Sequence, residues 1–236
     1  MPLLALDTSA AVAVAVTDGA GVALAAGSVP EQRHHAERLA PLVAELLAAA
    51  GTTPAALTAV VAGTGPAPFT GLRVGLVTAR ALALALGVPL HGVPSTEALA
   101  LRALEADPAA DVVLVVTDAR RREVYSALYR RAATDDPATA GLVEVRAPGV
   151  GPAEDLVADL ADGVRVVGRG ALLHPALAER LGDPAALDTA LLDPDPAALA
   201  RLAVRRAAAG LGQPGEPLYL RRPDAVPAAS RKRVLA

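Results

Sequence analysis

Residues 3–9 read Leu-Leu-Ala-Leu-Asp-Thr-Ser, and residues 111–120 read Asp-Val-Val-Leu-Val-Val-Thr-Asp-Ala-Arg. Each stretch is a short apolar run that ends in a polar turn containing an aspartate. Uninterrupted apolar runs of this length are typical of strands that are buried on both faces. An alternating segment follows each run, at residues 11–16 and 123–129, and predicts a hairpin partner for it. The pattern indicates an α/β chain with two similar halves, although from the residues alone a chance likeness is an equal alternative.

The remaining elements are predicted by working outward from these two strands. A glycine- and proline-rich loop over residues 63–71 precedes an apolar helix at 72–86. Ser95 is the expected N-cap of the next helix, and Pro41 predicts a kink or restart in an earlier helix at 31–50. Pro108 marks the boundary between two domains, 1–108 and 109–236. Further strands are expected at 22–26, 57–62, 90–93, 142–145 and 164–167, and further helices at 152–160 and 194–209.

Composition excludes several classes of protein. The chain has 236 residues, 53% of them hydrophobic, so we expect a folded globular protein. It contains no cysteine, which removes disulfides, thiolate metal sites and cysteine nucleophiles. Its net charge is −3 and it has one Phe and three Tyr, which argues against a protein that coats nucleic acid or stacks bases.

Targeting and membrane signals are not expected. The first residues carry no basic leader, and Asp7 interrupts the apolar run that a signal peptide requires. The longest uncharged stretch, residues 46–72, contains glycines and prolines that break a continuous helix. We therefore expect a cytoplasmic protein with no membrane association.

Two features of residues 63–86 have more than one interpretation. The glycine-rich loop could expose backbone N–H groups to an anion at the helix N-terminus, but a tight turn that needs glycine is the favoured interpretation. Four small residues spaced by four then form a stripe along the helix: Gly71, Gly75, Ala79 and Ala83. Such a stripe predicts close approach of another segment, either within the chain or on a partner, and the residues do not distinguish the two.

The two acidic turns also allow two interpretations. In actin-like ATPases, turns of this kind face a nucleotide, with carboxylates that hold Mg²⁺ and hydroxyls that contact phosphate. Here Asp7, Thr8, Ser9 and Asp118 would form such a site. The second turn has Arg120 and no hydroxyl, so the set of side chains that would contact phosphate is incomplete. In the alternative interpretation, the two aspartates only close their turns.

No catalytic or metal-binding set is apparent. His34 and His35 are adjacent in sequence, while His91 and His174 are isolated, so no pair has the i, i+4 spacing of a helical metal site. No Ser/His/Asp arrangement can be defended either. We therefore expect neither catalytic residues nor a bound metal or cofactor in this chain.

Taken together, four stretches resemble the TsaB (YeaZ) family, in order and over essentially the whole chain. They are the start Leu4 to Ser9, the loop and helix Gly63 to Leu86, the hairpin Asp118 to Tyr125 and the tail Pro217 to Arg221. One departure is Ala67-Pro68, where the family often has Gly-Ser. The resemblance implies a duplicated, two-lobed, actin-like (ASKHA) α/β fold, with mixed sheets flanked by helices.

The resemblance also implies a function. TsaB-like proteins are non-catalytic scaffold subunits that pair with the catalytic subunit TsaD, which threonylcarbamoylates the adenosine next to the anticodon in tRNA. TsaE, a P-loop ATPase, would dock on the pair; ATP or ADP and the metal belong to these partners, and tRNA would be contacted only through the complex. A homodimer of the free chain is left open. An autonomous actin-like ATPase or small-molecule kinase, using Asp7, Thr8 and Asp118, is the alternative.

Two sets of residues carry these implications. Laying the metal-binding motif of TsaD on this chain puts Ser95 and Leu99 at the two histidine positions, and neither side chain can replace imidazole. The implied interface with TsaD lies on the helices near 32–50 and 71–87. Its predicted residues are Leu39, Val43, Leu46, Gly71, Arg73, Gly75, Ala79 and Ala83.

Overall fold

The computed structural model of the chain describes residues 1–29, 35–133, 139–158, 160–161, 163–178 and 189–221. These residues form two β-sheets. The first contains β1 (Leu3–Asp7), β2 (Val12–Thr17), β3 (Ala23–Val29), β4 (Ala59–Gly63) and β5 (Leu90–Val93). The second contains β6 (Val112–Asp118), β7 (Glu123–Arg131), β8 (Leu142–Pro152) and β9 (Arg165–Val167).

The two sheets repeat one topology. In the first, the order is β3-β2-β1-β4-β5, with β1, β2 and β3 antiparallel and β4 and β5 added in parallel. In the second, the order is β8-β7-β6-β9, with β6, β7 and β8 antiparallel and β9 parallel to β6. The predicted likeness between the halves is thus present in three dimensions, and the predicted mixed sheets are confirmed.

The leading strand of each sheet is buried on both faces, as its apolar run predicts. In β1, Leu3 and Ala5 belong to one hydrophobic core, while Leu4 and Leu6 belong to another on the opposite face. β6 alternates in the same way, because its odd-numbered valines pack with the first core and its even-numbered residues with a third. Successive side chains of a strand point to opposite faces, so a strand between two helical layers must be apolar throughout.

In the described part of the chain, seven α-helices cover the sheets. Three of them, α4, α5 and α6, are short and lie in the second half. Two short 3₁₀ turns lie at Pro54–Ala56 and Thr189–Leu191. The helices are α1 (His35–Ala49), α2 (Phe69–Leu86), α3 (Ser95–Ala106), α4 (Ala153–Ala158), α5 (Arg169–Leu173), α6 (Pro175–Ala178) and α7 (Pro196–Ala208).

Two local expectations need correction. α1 continues through Pro41, so the helix does not restart there, and residues 31–34 of the predicted helix lie outside the described part. Ser95 is not the N-cap of α3: Pro94 occupies that position and provides no side-chain hydrogen bond. The Ser95 hydroxyl bonds to Asp7 instead, because burial beside a carboxylate offers it a stronger acceptor.

Helices α3 and α7 join the two sheets. α7 packs on strands of the first sheet, although it comes last in the chain, and α3 packs on strands of the second. The two helices also contact each other, and their apolar residues form one core with β1, β4, β6 and β7. The division at residue 108 therefore stays a prediction, since it separates the strands by sheet but not the helices that pack on them.

Candidate functional site

The turn after β1 is locked into the interior. Asp7 is 1% exposed. One oxygen of its carboxylate accepts hydrogen bonds from the backbone N–H of Ser9 at 2.7 Å and from its hydroxyl at 2.5 Å. The other oxygen accepts one from Ser95 Oγ at 2.6 Å. Gly63 is required beside it, because a Cβ there would overlap the Asp7 carboxylate.

Burial changes the chemistry of Asp7. Loss of solvation raises the pKa of its carboxyl group; the hydrogen bonds from Ser9 and Ser95 oppose this shift, and the nearby charge of Asp193 adds to it. A buried carboxyl group whose two oxygens already accept hydrogen bonds inside the protein is a poor ligand for Mg²⁺. Asp193 in turn is held by Arg169 through two hydrogen bonds of 3.0 and 2.6 Å.

Thr8 is also committed to internal contacts. Its hydroxyl donates to the carbonyl oxygen of Gly71 at 2.8 Å and accepts from the backbone N–H of Gly75 at 3.0 Å. These two bonds attach the start of α2 to the end of β1. The Thr8 hydroxyl already donates to one backbone group and accepts from another. It would have to break the hydrogen bond that it donates in order to donate to a phosphate.

The second acidic turn has a different construction. Asp118 accepts a hydrogen bond from the backbone N–H of Arg120 at 2.7 Å and pairs with its guanidinium at 3.1 Å. Three consecutive residues, Arg120, Arg121 and Arg122, have φ values of 64°, 56° and 63°. Asp7 and Asp118 have different hydrogen-bonding partners among the described residues, and the nucleotide site that both would face stays a prediction.

The small-residue stripe packs inside the chain. Gly75, Ala79 and Ala83 are buried, and a Cβ on Gly75 would overlap Thr8 Oγ1 and approach Leu6 Cδ1 at 3.3 Å. Of the two interpretations of the stripe, close approach within the chain is therefore the one that the structure supports. Gly75 is needed because α2 lies directly on β1 at this point.

Most of the predicted interface residues are covered within the chain itself, and the interface on α1 and α2 stays a prediction. Leu39, Val43 and Leu46 of α1 are also buried in the core beneath the first sheet, and Gly71 is half-buried. Arg73 is the one exposed residue among the eight predicted. The reason is general: the apolar stripe found by helical periodicity is the stripe that packs on the helix's own sheet first. Seven of the eight therefore do not offer exposed contacts.

A second apolar row lies on the exposed part of α2, beside the face that packs on the sheet. Leu84 is 85% exposed, Val77 63% and Phe69 38%. Sequence reasoning missed these residues, although the signal was present, since a helix that is apolar nearly all round needs a second covered face. We call the row formed by Phe69, Arg73, Val77 and Leu84 the α2 docking row.

Helix α2 also meets the length and composition of a membrane span. Its 18 residues have a mean hydropathy of 1.5, and 28% of them are buried. Those two properties alone are weak evidence, because core helices of soluble proteins share them. One face of α2 packs on β1 and β4, which is the arrangement of a core helix of a folded domain.

An aromatic and guanidinium cluster lies at the start of α2. The guanidinium carbon of Arg73 is 3.5 Å from the centre of the Phe69 ring, and Arg73 Nε donates to Tyr219 Oη at 2.9 Å. The centres of the two rings are 5.1 Å apart. Tyr219 belongs to an extended segment, residues 211–221, which also donates the Leu218 N–H to the Thr64 carbonyl oxygen at 2.8 Å.

The two positions that correspond to the metal ligands of TsaD have other roles here. Ser95 is hydrogen-bonded to Asp7, and Leu99 is fully buried in the core. Across the described ranges, no group of three or more His, Asp or Glu side chains is placed to hold a metal ion. His34 lies outside the described residues.

Comparison with known proteins identifies the family. The family model of TsaD, tRNA N6-adenosine threonylcarbamoyltransferase, matches residues 14–146. An uncharacterized protein of Mycobacterium tuberculosis is 41% identical over 199 residues, which are 84% of this chain and 81% of that protein. The solved structure of YeaZ from Pseudomonas aeruginosa is 33% identical, with a TM-score of 0.75 over 93% of this chain and 99% of that one.

The chain belongs to the TsaB (YeaZ) family. The Escherichia coli tRNA threonylcarbamoyladenosine biosynthesis protein TsaB is 36% identical over 132 residues, 56% of each chain. The expected fold is confirmed, because the TsaB-family likeness and the two mixed sheets flanked by helices both agree with a duplicated actin-like α/β fold. In this TsaB-family chain, the side chains of the Asp7 turn hold α2 and α3 in place.

Proposed function

We propose that this chain is a non-catalytic subunit that pairs with a TsaD-type catalytic subunit and supports threonylcarbamoylation of tRNA. Its named relatives act in tRNA threonylcarbamoyladenosine biosynthesis, and family membership assigns the chain to that process. The finer proposal rests chiefly on one observation, the exposed α2 docking row. The row extends from residue 69 to residue 84, roughly 22 Å along the helix at 1.5 Å per residue.

The docking row has the chemistry of a protein interface. Apolar residues are flanked by arginine and aromatic side chains, which are enriched at interface centres. Leaving Val77 and Leu84 in water forgoes on the order of 1.5–3 kcal/mol for each side chain that a partner could bury. A soluble subunit with such a surface is best explained by a partner that covers it.

The exposed charges of α1 and α2 favour one orientation of a bound partner. α2 exposes two arginines, Arg73 and Arg80, while the neighbouring helix α1 exposes two glutamates, Glu37 and Glu45, beside one arginine, Arg38. A partner with two helices of the same kind could place its acidic helix against α2 and its basic helix against α1. We take a TsaD-type subunit as this partner because it is related in sequence: a transferase of Sphingopyxis alaskensis is 40% identical over 152 residues, 58% of this chain and 44% of that protein. A second copy would satisfy the same pattern, so a homodimer of the free chain belongs to the proposal.

A non-catalytic role is supported by the internal hydrogen bonds of the side chains that were candidates for a nucleotide site. Asp7 and Thr8 hold α2 and α3 on β1, and Ser95 holds Asp7. An autonomous ATPase or kinase would need these groups for Mg²⁺ and phosphate. We place ATP, the metal and a TsaE-like ATPase with the partners, and the complex in the cytoplasm.

The pairing is tested with Leu84→Glu, which puts a charge into the docking row. Leu173→Glu is the matched control, because Leu173 is 55% exposed on α5, away from this surface. Light scattering after size exclusion measures each variant mixed with the TsaD-type subunit of the same organism. We expect a one-to-one complex for the wild type and the control, and separate elution for Leu84→Glu.

Pairing by Leu84→Glu at wild-type affinity would contradict the docking row. Circular dichroism of each variant keeps this result separate from misfolding. Calorimetry with ATP and Mg²⁺ on the isolated chain tests the alternative, and binding that disappears in Asp7→Ala with the fold intact would favour an autonomous ATPase.

A further inference from the structure

The last described segment of the chain lies along one side of α2. Residues 213–221 form neither a helix nor a strand, and we call them the strap. Pro214 and Pro217 fix their own φ angles and favour an extended backbone in the residue before each of them. Since prolines also restrict the unfolded chain, the strap loses less conformational freedom when it packs on the protein.

Both ends of the strap are fixed to the rest of the fold. At the first end, the Gln213 carbonyl oxygen accepts from the backbone N–H of Gly92 at 3.0 Å. The buried side chain of Gln213 donates to the Ala203 carbonyl oxygen, also at 3.0 Å. At the other end, Arg221 donates to the Ala119 carbonyl oxygen at 2.9 Å. The part between these anchors is therefore positioned from both sides.

Between its anchors, the strap binds both exposed arginines of α2. Arg80 Nη2 donates to the Gly215 carbonyl oxygen at 2.8 Å, and Arg73 Nε donates to Tyr219 Oη at 2.9 Å. The later strap residue contacts the earlier helix residue, so the strap runs antiparallel to α2. An arginine at a protein surface samples many rotamers, and ordering it costs side-chain entropy. The strap has already ordered these two side chains.

The Tyr219 ring extends the surface next to the α2 docking row. Its centre is 5.1 Å from the centre of the Phe69 ring, and the Arg73 guanidinium lies on the Phe69 ring at 3.5 Å. Tyr219 remains 41% exposed, so the strap adds an aromatic contact beside the row. Three of the four aromatic residues of the chain, Phe69, Tyr125 and Tyr219, line the cleft at this end of α2.

We propose that the strap is a second part of the partner-binding surface, where it positions Arg73 and Arg80 for two carboxylates of the partner and presents the Tyr219 ring beside them. This step rests on the proposed function, since the partner is the TsaD-type subunit that would cover the α2 docking row. A guanidinium has five N–H donors, so an arginine that gives one to the strap can still bind a carboxylate. Side chains that are ordered beforehand lose less entropy on binding, which raises the affinity.

The spacing of the two arginines predicts the charge pattern of the bound segment. Arg73 and Arg80 are seven positions apart on one continuous helix, which is about two turns and roughly 10 Å along its axis. Val77, which is 63% exposed, lies between them on the same side of α2. We expect the partner to present two acidic side chains at a matching separation, with an apolar side chain between them that packs on Val77.

Calorimetric titration of the full chain with the TsaD-type subunit tests the proposal. Tyr219→Ala removes the ring and the hydroxyl, whereas Tyr219→Phe removes the hydroxyl alone. The control is Leu211→Ala, because Leu211 has the same exposed fraction as Tyr219, 41%, and precedes the strap. We expect Tyr219→Ala to weaken pairing about tenfold or more, Tyr219→Phe to weaken it about threefold, and the control to change it less than about twofold.

A second comparison shows whether the Tyr219 hydroxyl acts through Arg73. In a chain that carries Arg73→Ala, the additional change Tyr219→Phe should no longer alter the affinity, because the group that the hydroxyl positions is missing. A hydroxyl with a merely structural role would weaken pairing equally in both backgrounds. Urea unfolding of each variant confirms that the fold is intact.

Three results would overturn the proposal. They are pairing of Tyr219→Ala at the wild-type affinity, an effect of Tyr219→Phe that persists in full beside Arg73→Ala, and equal weakening by Tyr219→Ala and Leu211→Ala. The proposed function is judged separately by Leu84→Glu, near the other end of α2. If Leu84→Glu prevents pairing while the Tyr219 variants pair like the wild type, the strap has no such role and the proposed function stands. A wild type that does not pair would overturn both.

Discussion

The backbone N–H of Gly75 donates a hydrogen bond of 3.0 Å to the hydroxyl oxygen of Thr8. This bond fixes a helix of 18 residues on the first strand of the sheet, at a distance that leaves no room for a side chain. It also decides which side of α2 faces outward. The apolar row at the surface exists because the small residues are used inside.

Replacing Gly75 with alanine should destabilise the fold. Helix propensity alone predicts a gain of about 1 kcal/mol, but the added Cβ would overlap Thr8 Oγ1, and overpacking of this kind costs about 1–3 kcal/mol. Urea unfolding measures whether the free energy of unfolding falls or rises in Gly75→Ala. Gly149→Ala is the control, because Gly149 has open space around its Cβ position, and it should change the free energy of unfolding by about 0.5 kcal/mol or less.

A gain in stability for Gly75→Ala would show that α2 is not held as described. If Gly75 lay at the predicted interface, a bulky residue there would abolish pairing and leave the monomer folded. The structure predicts instead that such a residue acts on the monomer itself, so stability and pairing must be measured together for any variant at this position.

Substitutions at Asp7 should separate charge from hydrogen bonding. Asp7→Asn keeps an oxygen for the two Ser9 donors, whereas Asp7→Ala removes the acceptor of the Ser9 donors and of the Ser95 hydroxyl and should cost about 2 kcal/mol or more. The wild-type carboxyl has a raised pKa in the folded state, so the folded state binds more protons than the unfolded state. Its contribution to stability is therefore present below the usual value of 3.8 and is lost as the pH rises through the raised pKa.

Unfolding by urea at a series of pH values from about 4 to about 8 checks this sign. The stability of wild type relative to Asp7→Asn should fall as the pH rises, because only the wild type must ionise a buried group. Parallel curves for the two proteins would contradict the raised pKa of Asp7.

His91 should make the stability of the fold depend on pH in the opposite direction to Asp7. Burial lowers the pKa of its imidazole, and Gln213 Nε2 lies 3.3 Å from its Nδ1. The folded state then binds fewer protons than the unfolded state, so stability is lost as the pH falls below the usual value of 6.5. His91→Gln should show a smaller loss of stability between about pH 7 and about pH 5 than the wild type, and an equal loss would count against this role.

The segment 211–221 should be released by a small change in β5. The backbone N–H of Gly92 donates to the Gln213 carbonyl oxygen at 3.0 Å, and a Cβ on Gly92 would overlap the Pro214 carbonyl oxygen. Gly92→Ala should therefore make this segment more sensitive to limited proteolysis, with cleavage mapped by mass spectrometry. The matched control is Gly151→Ala, which meets nothing near its Cβ and should be cut like the wild type.

Several parts of the fold could be predicted from local sequence. The strands β1 and β6 are continuous apolar runs, and the alternation at 11–16 and 123–129 predicts their hairpins, because strand burial leaves a period that is visible in the chain. The helix over 72–86 was likewise predictable from its apolar length and its end at Gly87. The absence of cysteine excludes thiolate sites, and the spacing of the histidines excludes a helical imidazole site, because both depend only on residue type and position along the chain.

The candidate sites were less accessible, since they depend on which side of an element is covered. Periodicity identifies an apolar stripe but not the surface it packs on, and the resemblance assigned Leu39, Val43, Leu46 and Gly75 to a partner although all four are buried within the chain. Similarly, the turns at Asp7 and Asp118 look alike in sequence. Their difference lies in Ser95, which comes from a distant helix and holds only Asp7.

By itself, the sequence determined the leading strands, the α/β class and the family, because each of these follows from residue type and short-range period. Only the tertiary structure decided that α7 returns to the first sheet, that α2 turns Val77 and Leu84 outward, and that three of four aromatic residues meet around arginines. Contacts between residues separated by tens to more than a hundred positions leave no local pattern. They are set by packing, which depends on the surfaces of the whole chain and not on any single segment.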